Sequence, residues 1–288
     1  MMRSLFAAIS GLRVHQTMLD VTANDIANVN TVGFKGSTVS FKDALAELQS
    51  GASGPSTSLG GQNAEQIGLG VQLGAISTNM GAGAIQTTNN PFDLAIQGEG
   101  FFRVAGIQTA GTPPTFGTVN YTRAGNFTTD SAGNLVTQSG MYVLGHAAAG
   151  QGPPPTFGTT DSQITIPTTA SSVSIGQDGI VSYIDSTTGT SKALAQVTLA
   201  KFPNDEGLTA EPGTDYIESP NSGAPTVGVA GDTNGLGTIA AGSLEMSNVD
   251  LAAEFTNMIE AQRGFQANGR IISTADQMLQ DLVNLGRS

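Results

Sequence analysis

The sequence predicts an α+β protein. Long N- and C-terminal helices form a coiled-coil pair, and between them lies a central β-rich body of short antiparallel strands. Three observations carry this. Leu5, Leu12, Leu19 and Ile26 recur every seventh residue near the N-terminus, with Ile9 and Ala23 beside them. Leu251, Met258, Phe265, Ile272 and Leu279 do the same near the C-terminus, with Phe255 and Val283 on the adjoining track. The middle of the chain breaks into short apolar runs punctuated by Gly, Asn and Asp. A sevenfold step puts side chains on one narrow helical stripe, which seeks another helix rather than a broad core. Two such helices, at opposite ends of 288 residues, favour pairing with each other and with copies of themselves.

The elements follow in order. Residues 3–29 read as one helix with Ser4 near its cap, stopped by Asn28, Asn30 and Gly33. Residues 36–48 read as a short strand or helix and 50–63 as flexible loop, so 36–66 is assigned as a linker. The runs GVQLGAISTNM, FDLAIQGEGFFRV, VNYTRAGNFTTD and GNLVTQSGMYVLG then read as strands, with a hairpin loop at Asp130–Asn134. PPPTFG at 153–158 is a break. Beyond it VSIGQDGIVSYI holds an Asp178-Gly179 turn, and 193–202 is another strand. Residues 203–243 are Gly- and Pro-rich and read as irregular, surface-lying chain. Ser247, with an acid at Asp250, marks the start of a last helix running from about 249 to 285 and ending near Gly286. The domains are therefore 1–35 with 244–288 as a terminal helical coiled-coil domain, and 67–243 as an outer β body. A small subdomain around 146–202 is an option within that body.

Composition narrows the function. A net charge of −12 leaves no basic stripe for phosphates, which argues against nucleic acid and against membrane binding through basic residues. No run approaches the ~20 apolar residues of a bilayer span, so no stable membrane insertion is expected. The opening residues pass straight into the helical period, so a cleaved signal peptide is not expected. Cysteine is absent, which removes disulfide and thiol chemistry. Ten acids against two bases (Lys192 and Lys201) between Asp130 and Asp232 mark the middle as the solvated outer part.

Catalytic patterns are missing. The two histidines, His15 and His146, stand far apart, and His15 reads as an interface residue. GLGVQLG has the wrong glycine spacing for a phosphate loop, and GDTNG at 231–235 lacks the acids of a calcium loop. Neither a nucleophile elbow nor HExxH is present. No enzyme, cofactor or metal is expected. Gly264 and Gly269, inside the last helix, mean either tolerated cost or close helix approach.

ANDIANVNTVGFK, directly after the first helix, closely resembles the N-terminal motif shared by bacterial flagellar rod and hook axial proteins. The matching positions are Asn24, Asn28, Asn30, Thr31, Gly33, Phe34 and Lys35. GSLEMSNVDLAAEFTNMIEAQRGFQANGRIISTADQMLQDLVNLGR resembles that family's C-terminal motif, and GAIQTTNNPFDLAIQGEGFFRV and YTRAGNFTTDSAGNLVTQSGMYVLG resemble its β body. At Asp25 the chain departs from the family, which often carries Asn there.

The resemblance implies a structural subunit, exported uncleaved through the flagellar type III apparatus and polymerised helically into a hollow tube. Leu5, Ile9, Leu12, Leu19 and Ile26 with Leu251, Phe255, Met258, Phe265, Ile272 and Leu279 would form its assembly interface. Its partners would be itself, the rod below, junction proteins above and a hook cap during assembly. The two ends look most like a hook protein, placing the chain in the extracellular hook. The stretches 164–182 and 199–225 are also similar to the distal rod protein of the basal body, which is the alternative. A secreted monomeric β-rich binding module is a third reading, disfavoured because a monomer gains nothing from two narrow-striped helices. Isolated helices of this kind are marginal in water, so both termini are expected to be largely disordered in the free monomer.

Overall fold

The computed structural model describes residues 2–55, 60–109, 115–150, 155–187, 189–232 and 235–286. The chain divides into two compact units. One comprises Met1–Ala27, Ser37–Asn79 and Val249–Ser288, the other Asn28–Gly36 and Met80–Asn248.

The first unit holds helix α1 (Met2–Ala27), helix α2 (Leu251–Leu285) and a β arm. Helix α2 begins close to the expected 249, but the N-cap is Asp250 rather than Ser247. Its carboxylate accepts from Ala252 N at 2.9 Å, satisfying amides that the first helical turn leaves free. Residues 36–66, expected as a linker, instead carry strands and build most of one side of the arm. Ser37–Asp43 pairs antiparallel with Val71–Thr78, and Ala46–Ser50 with Glu65–Gly68, and a bridge joins Ser53 to Gln62. Val39 and Phe41, in a stretch read as strand or helix, stand opposite Ile76 and Leu73 of a run read as strand, across a register shift at Ser40/Phe41. Residues 71–78 therefore belong to this arm and not to the β body.

The second unit is the β body, and every strand pairing in it is antiparallel. Its main sheet runs in the order 170–175, 180–185, 191–201, 142–150, 101–109, 115–122, 215–217, 209–211. Phe101 and Phe102 point to opposite faces, as successive strand residues must. Phe102 joins Leu94, Ile96, Phe127, Val181, Val197 and Leu199, while Phe101 joins Tyr121, Phe202 and Tyr216. Cores on both faces explain why FFRVA and TLAKF are continuous rather than alternating runs. Because Val181, Ala195 and Val197 share the core of Leu94 and Phe102, residues 146–202 are not a separate subdomain.

Both expected hairpins form. The Asp130 carboxylate accepts from the amides of Ala132 and Asn134, and Gly179 takes φ +78 to turn the chain between 170–175 and 180–185. Residues 203–243, read as irregular, carry short strands at 209–211, 215–217, 226–229 and 238–241. Parts of the 153–158 break and of GDTNG lie outside the described residues. No helix among the described residues is long and apolar enough to cross a membrane.

Candidate assembly surface

The two terminal helices run antiparallel. A Cβ added at Gly11 would stand 2.6 Å from Asn268 Nδ2, and one at Gly264 would stand 2.5 Å from the His15 ring. Farther along, Asp25 lies within electrostatic reach of Glu254. Each step forward on α1 is thus a step back on α2. The seam does repeat every seven residues: Ala8, His15 and Thr22 with Gly11 and Asp25 on α1, and Glu254, Ala261, Asn268 and Ala275 with Gly264 on α2. Small residues at these positions bring the helix axes close. Gly264 serves that approach, whereas Gly269 has open space beside it.

The apolar ladders lie beside this seam rather than in it. Leu5, Ile9, Leu12, Leu19 and Ile26 are half-buried, as are Met258 and Ile272. Leu251, Phe255, Phe265 and Leu279 are between 37% and 49% exposed, and Val283 is more exposed still. The sevenfold period marked the helices correctly. The stripe used for pairing within one chain is the small, polar one next to it.

The arm meets α1 closely. Gly70, at φ +124, lies so near Ser10 that a side chain there would collide with its hydroxyl and press on Ala7, and Ser10 Oγ accepts from Val71 N at 3.2 Å. The His15 ring stands edge-on to Phe41 at 5.8 Å. An exposed Arg3–Glu47 pair adds little to stability.

Asp25 is the electrostatic oddity of this unit. It is 1% exposed, its Oδ2 accepts from Ser37 N at 2.9 Å, and its Oδ1 has no partner. Burial above all, with the nearby Glu254 charge, pushes its pKa up to about 6, against the Ser37 amide hydrogen bond, which lowers it.

The motif that follows α1 belongs to the second unit and closes an ionic clasp there. Thr31 Oγ1 donates to Asn28 Oδ1 and Phe34 N to Thr31 O, shaping the turn, while Asn24 and Asn30 are exposed. Gly33, at φ +70, donates its N–H to Glu245 O at 2.8 Å and sits so close to Ala124 N that a Cβ would clash. Lys35 is buried, with Nζ 2.6 Å from Glu245 Oε1 and 2.8 Å from Gly81 O. Glu245, equally buried, also accepts from Gly83 N at 2.9 Å and from Arg123 at 3.2 Å. Arg123 in turn donates to Gly98 O and lies over the Phe101 ring. Burial lowers the Lys35 pKa, and Glu245 opposes that shift. Asn248 closes the clasp by accepting from Gly36 N and donating to Gly81 O.

Glu245, Arg123 and Asn248 were not singled out from sequence, whereas Asp250, read as the acid of a capping box, is itself the N-cap. In a chain only 12% charged, an Arg inside NYTRAG and a Glu inside SLEM interrupt strand-like runs, a signal that could have found the first two. His146 lies 3.9 Å from Asp161, and its pKa is lowered by burial.

This arrangement defines a class: an α+β subunit whose two ends pair as helices carrying uncovered apolar flanks, and which also holds a β body that is clasped internally. Three family descriptions match along the chain. They are a flagella basal body rod protein over residues 5–35, the flagellar hook protein FlgE/F/G D1 domain over 95–183, and a flagellar basal body rod FlgEFG protein C-terminal region over 240–285. The basal-body rod protein FlgG of Bacillus subtilis strain 168 is 45% identical across the whole of both chains. That of Caulobacter vibrioides is 35% identical over 97% of each. The hook protein FlgE of Borreliella burgdorferi is 30% identical, covering 99% of this chain and all of the relative, but over 441 aligned positions. The chain belongs to the flagellar rod and hook axial protein family.

Proposed function

We propose that the chain is a structural subunit of the distal rod of the bacterial flagellar basal body, polymerising helically into a hollow tube. One observation carries the self-assembly. Among the described residues, seventeen of the twenty exposed large hydrophobic side chains lie in the helix-and-arm unit, which is far from a solvated surface. The ladder residues Leu251, Phe255, Phe265 and Leu279 are part of that surface and would be covered by neighbouring copies. Its other partners would be the adjoining axial proteins and the flagellar export apparatus, with the N-terminus left uncleaved.

The rod is favoured over the hook by chain length. Relatives named as rod proteins match end to end, whereas the hook relative needs many more aligned positions. The two ends look most like a hook protein, but the family descriptions matching them cover rod proteins too, so those segments do not separate the two. Negative-stain electron microscopy of the concentrated full-length chain tests the reading. Straight tubes that vanish in a Phe255→Gln, Phe265→Gln variant are expected. Curved tubes would restore the hook reading, and unchanged assembly of the variant would remove the ladder from the interface.

A further inference from the structure

Helix α2 has 35 residues against 26 in α1. With Gly11 opposite Asn268 and His15 opposite Gly264, the start of α1 falls level with about residue 277 of α2. The last two turns of α2, roughly 12 Å of helix, therefore lie past Met2, the first described residue of its partner. Met278, Leu279, Leu282, Val283 and Leu285 are all exposed there. Met278, Asp281, Leu282 and Leu285 share one face, so an apolar stripe carries a single acid at its middle.

The same unit contains a groove of matching character. Phe6, Ile9, Val14 and Arg13 of α1 line it together with Val71 and Leu73 of the arm, and the neutral polar Ser10, Thr17 and Gln72 complete the lining. Phe6 and Leu73 are exposed, and the groove's charged residue is the base Arg13. An apolar helix face with one acid fits a groove of apolar and neutral polar residues with one base. The overhang continues α2 in a straight helical run away from its own α1, so it does not turn back into its own groove.

We propose that the α2 overhang of one copy docks in the α1–arm groove of another copy, with Asp281 pairing to Arg13. This rests on the axial-subunit reading and names its contact. Overhang and groove are different surfaces of the same chain, so the contact is head-to-tail and propagates rather than closing as a two-fold dimer.

Charge reversal in the full-length chain tests it, with assembly followed by sedimentation and micrographs. Asp281→Arg alone and Arg13→Asp alone should each raise the concentration needed for assembly about tenfold. Mixing the two variants should restore it, since each then meets an opposite charge, and the double variant should also recover. Helicity of each variant by circular dichroism separates lost docking from lost folding. Because the chain has no cysteine, Leu282→Cys and Leu73→Cys give a second readout, with disulfide-linked multimers expected only from the two together. Wild-type assembly with neither variant impaired, or no rescue in the mixture, overturns the docking alone. A wild-type chain that stays monomeric at every concentration overturns the axial reading and the docking together.

Discussion

The two units of this molecule use apolar residues in opposite ways. The β body encloses Leu94, Phe101, Phe102, Tyr121, Val197 and Leu199 almost completely, on both faces of one sheet. Among the described residues, the helix-and-arm unit fully buries only Ala8, Val14, Ala261 and Ala275 of its hydrophobic side chains, and leaves large ones on the outside. Burial at about 25 cal/mol per Å² rewards the first arrangement within one chain and the second only when copies meet. A unit built on a two-stranded arm and two long helices is marginal by itself. The contrast explains how one chain combines a self-sufficient fold with an end held ready for assembly.

The largest effect should come from the body's clasp. Glu245→Ala leaves Lys35 and Arg123 buried without their anion, and breaking such a group costs about 3–5 kcal/mol. Urea unfolding of the body should show that loss, and a change under 1 kcal/mol would mean that water already reaches the site.

A smaller, pH-dependent effect belongs to the helical unit. In the folded chain Asp25 holds its proton up to about pH 6, whereas unfolded Asp ionises near its ordinary value of 3.8. The folded state therefore binds more protons between these values, and stability falls as pH rises through that window. Asp25→Asn should remove this dependence and stabilise the assembled state by roughly 3 kcal/mol at pH 8. Thermal unfolding of tubes at pH 4 and pH 8 checks it, and an unchanged pH slope would show that Asp25 ionises without cost.

The smallest effect separates two glycines in one helix. Gly264→Ala crowds His15 in the seam and should weaken helix pairing by about 1–3 kcal/mol. Gly269→Ala meets nothing within 4 Å and should strengthen the helix by about 1 kcal/mol. Opposite shifts in the assembly concentration are expected, and equal shifts would contradict the seam.

What sequence revealed follows the same division. Period seven located both helices, because it survives in the seam and in the apolar flank alike. It did not say which stripe pairs within the chain, since Ala8, Gly11, Thr22, Ala261 and Gly264 carry no hydropathic signal of their own. Turn chemistry at Asp130 and Gly179 was legible because it is local. Strand 71–78 was legible and 36–48 read as strand or helix, but their pairing into an arm was missed because the partners lie dozens of residues apart. The clasp was half visible: Gly33 and Lys35 stood out in the motif, but Glu245 and Arg123 meet them only through long-range folding.

Amide hydrogen exchange on the dilute monomer and on assembled tubes tests most directly whether the helical unit waits for its neighbours. The prediction is a body protected in both states, with amides of α1 and α2 exchanging rapidly in the monomer and slowly in the tube. Helices as protected as the body in the dilute monomer would contradict it.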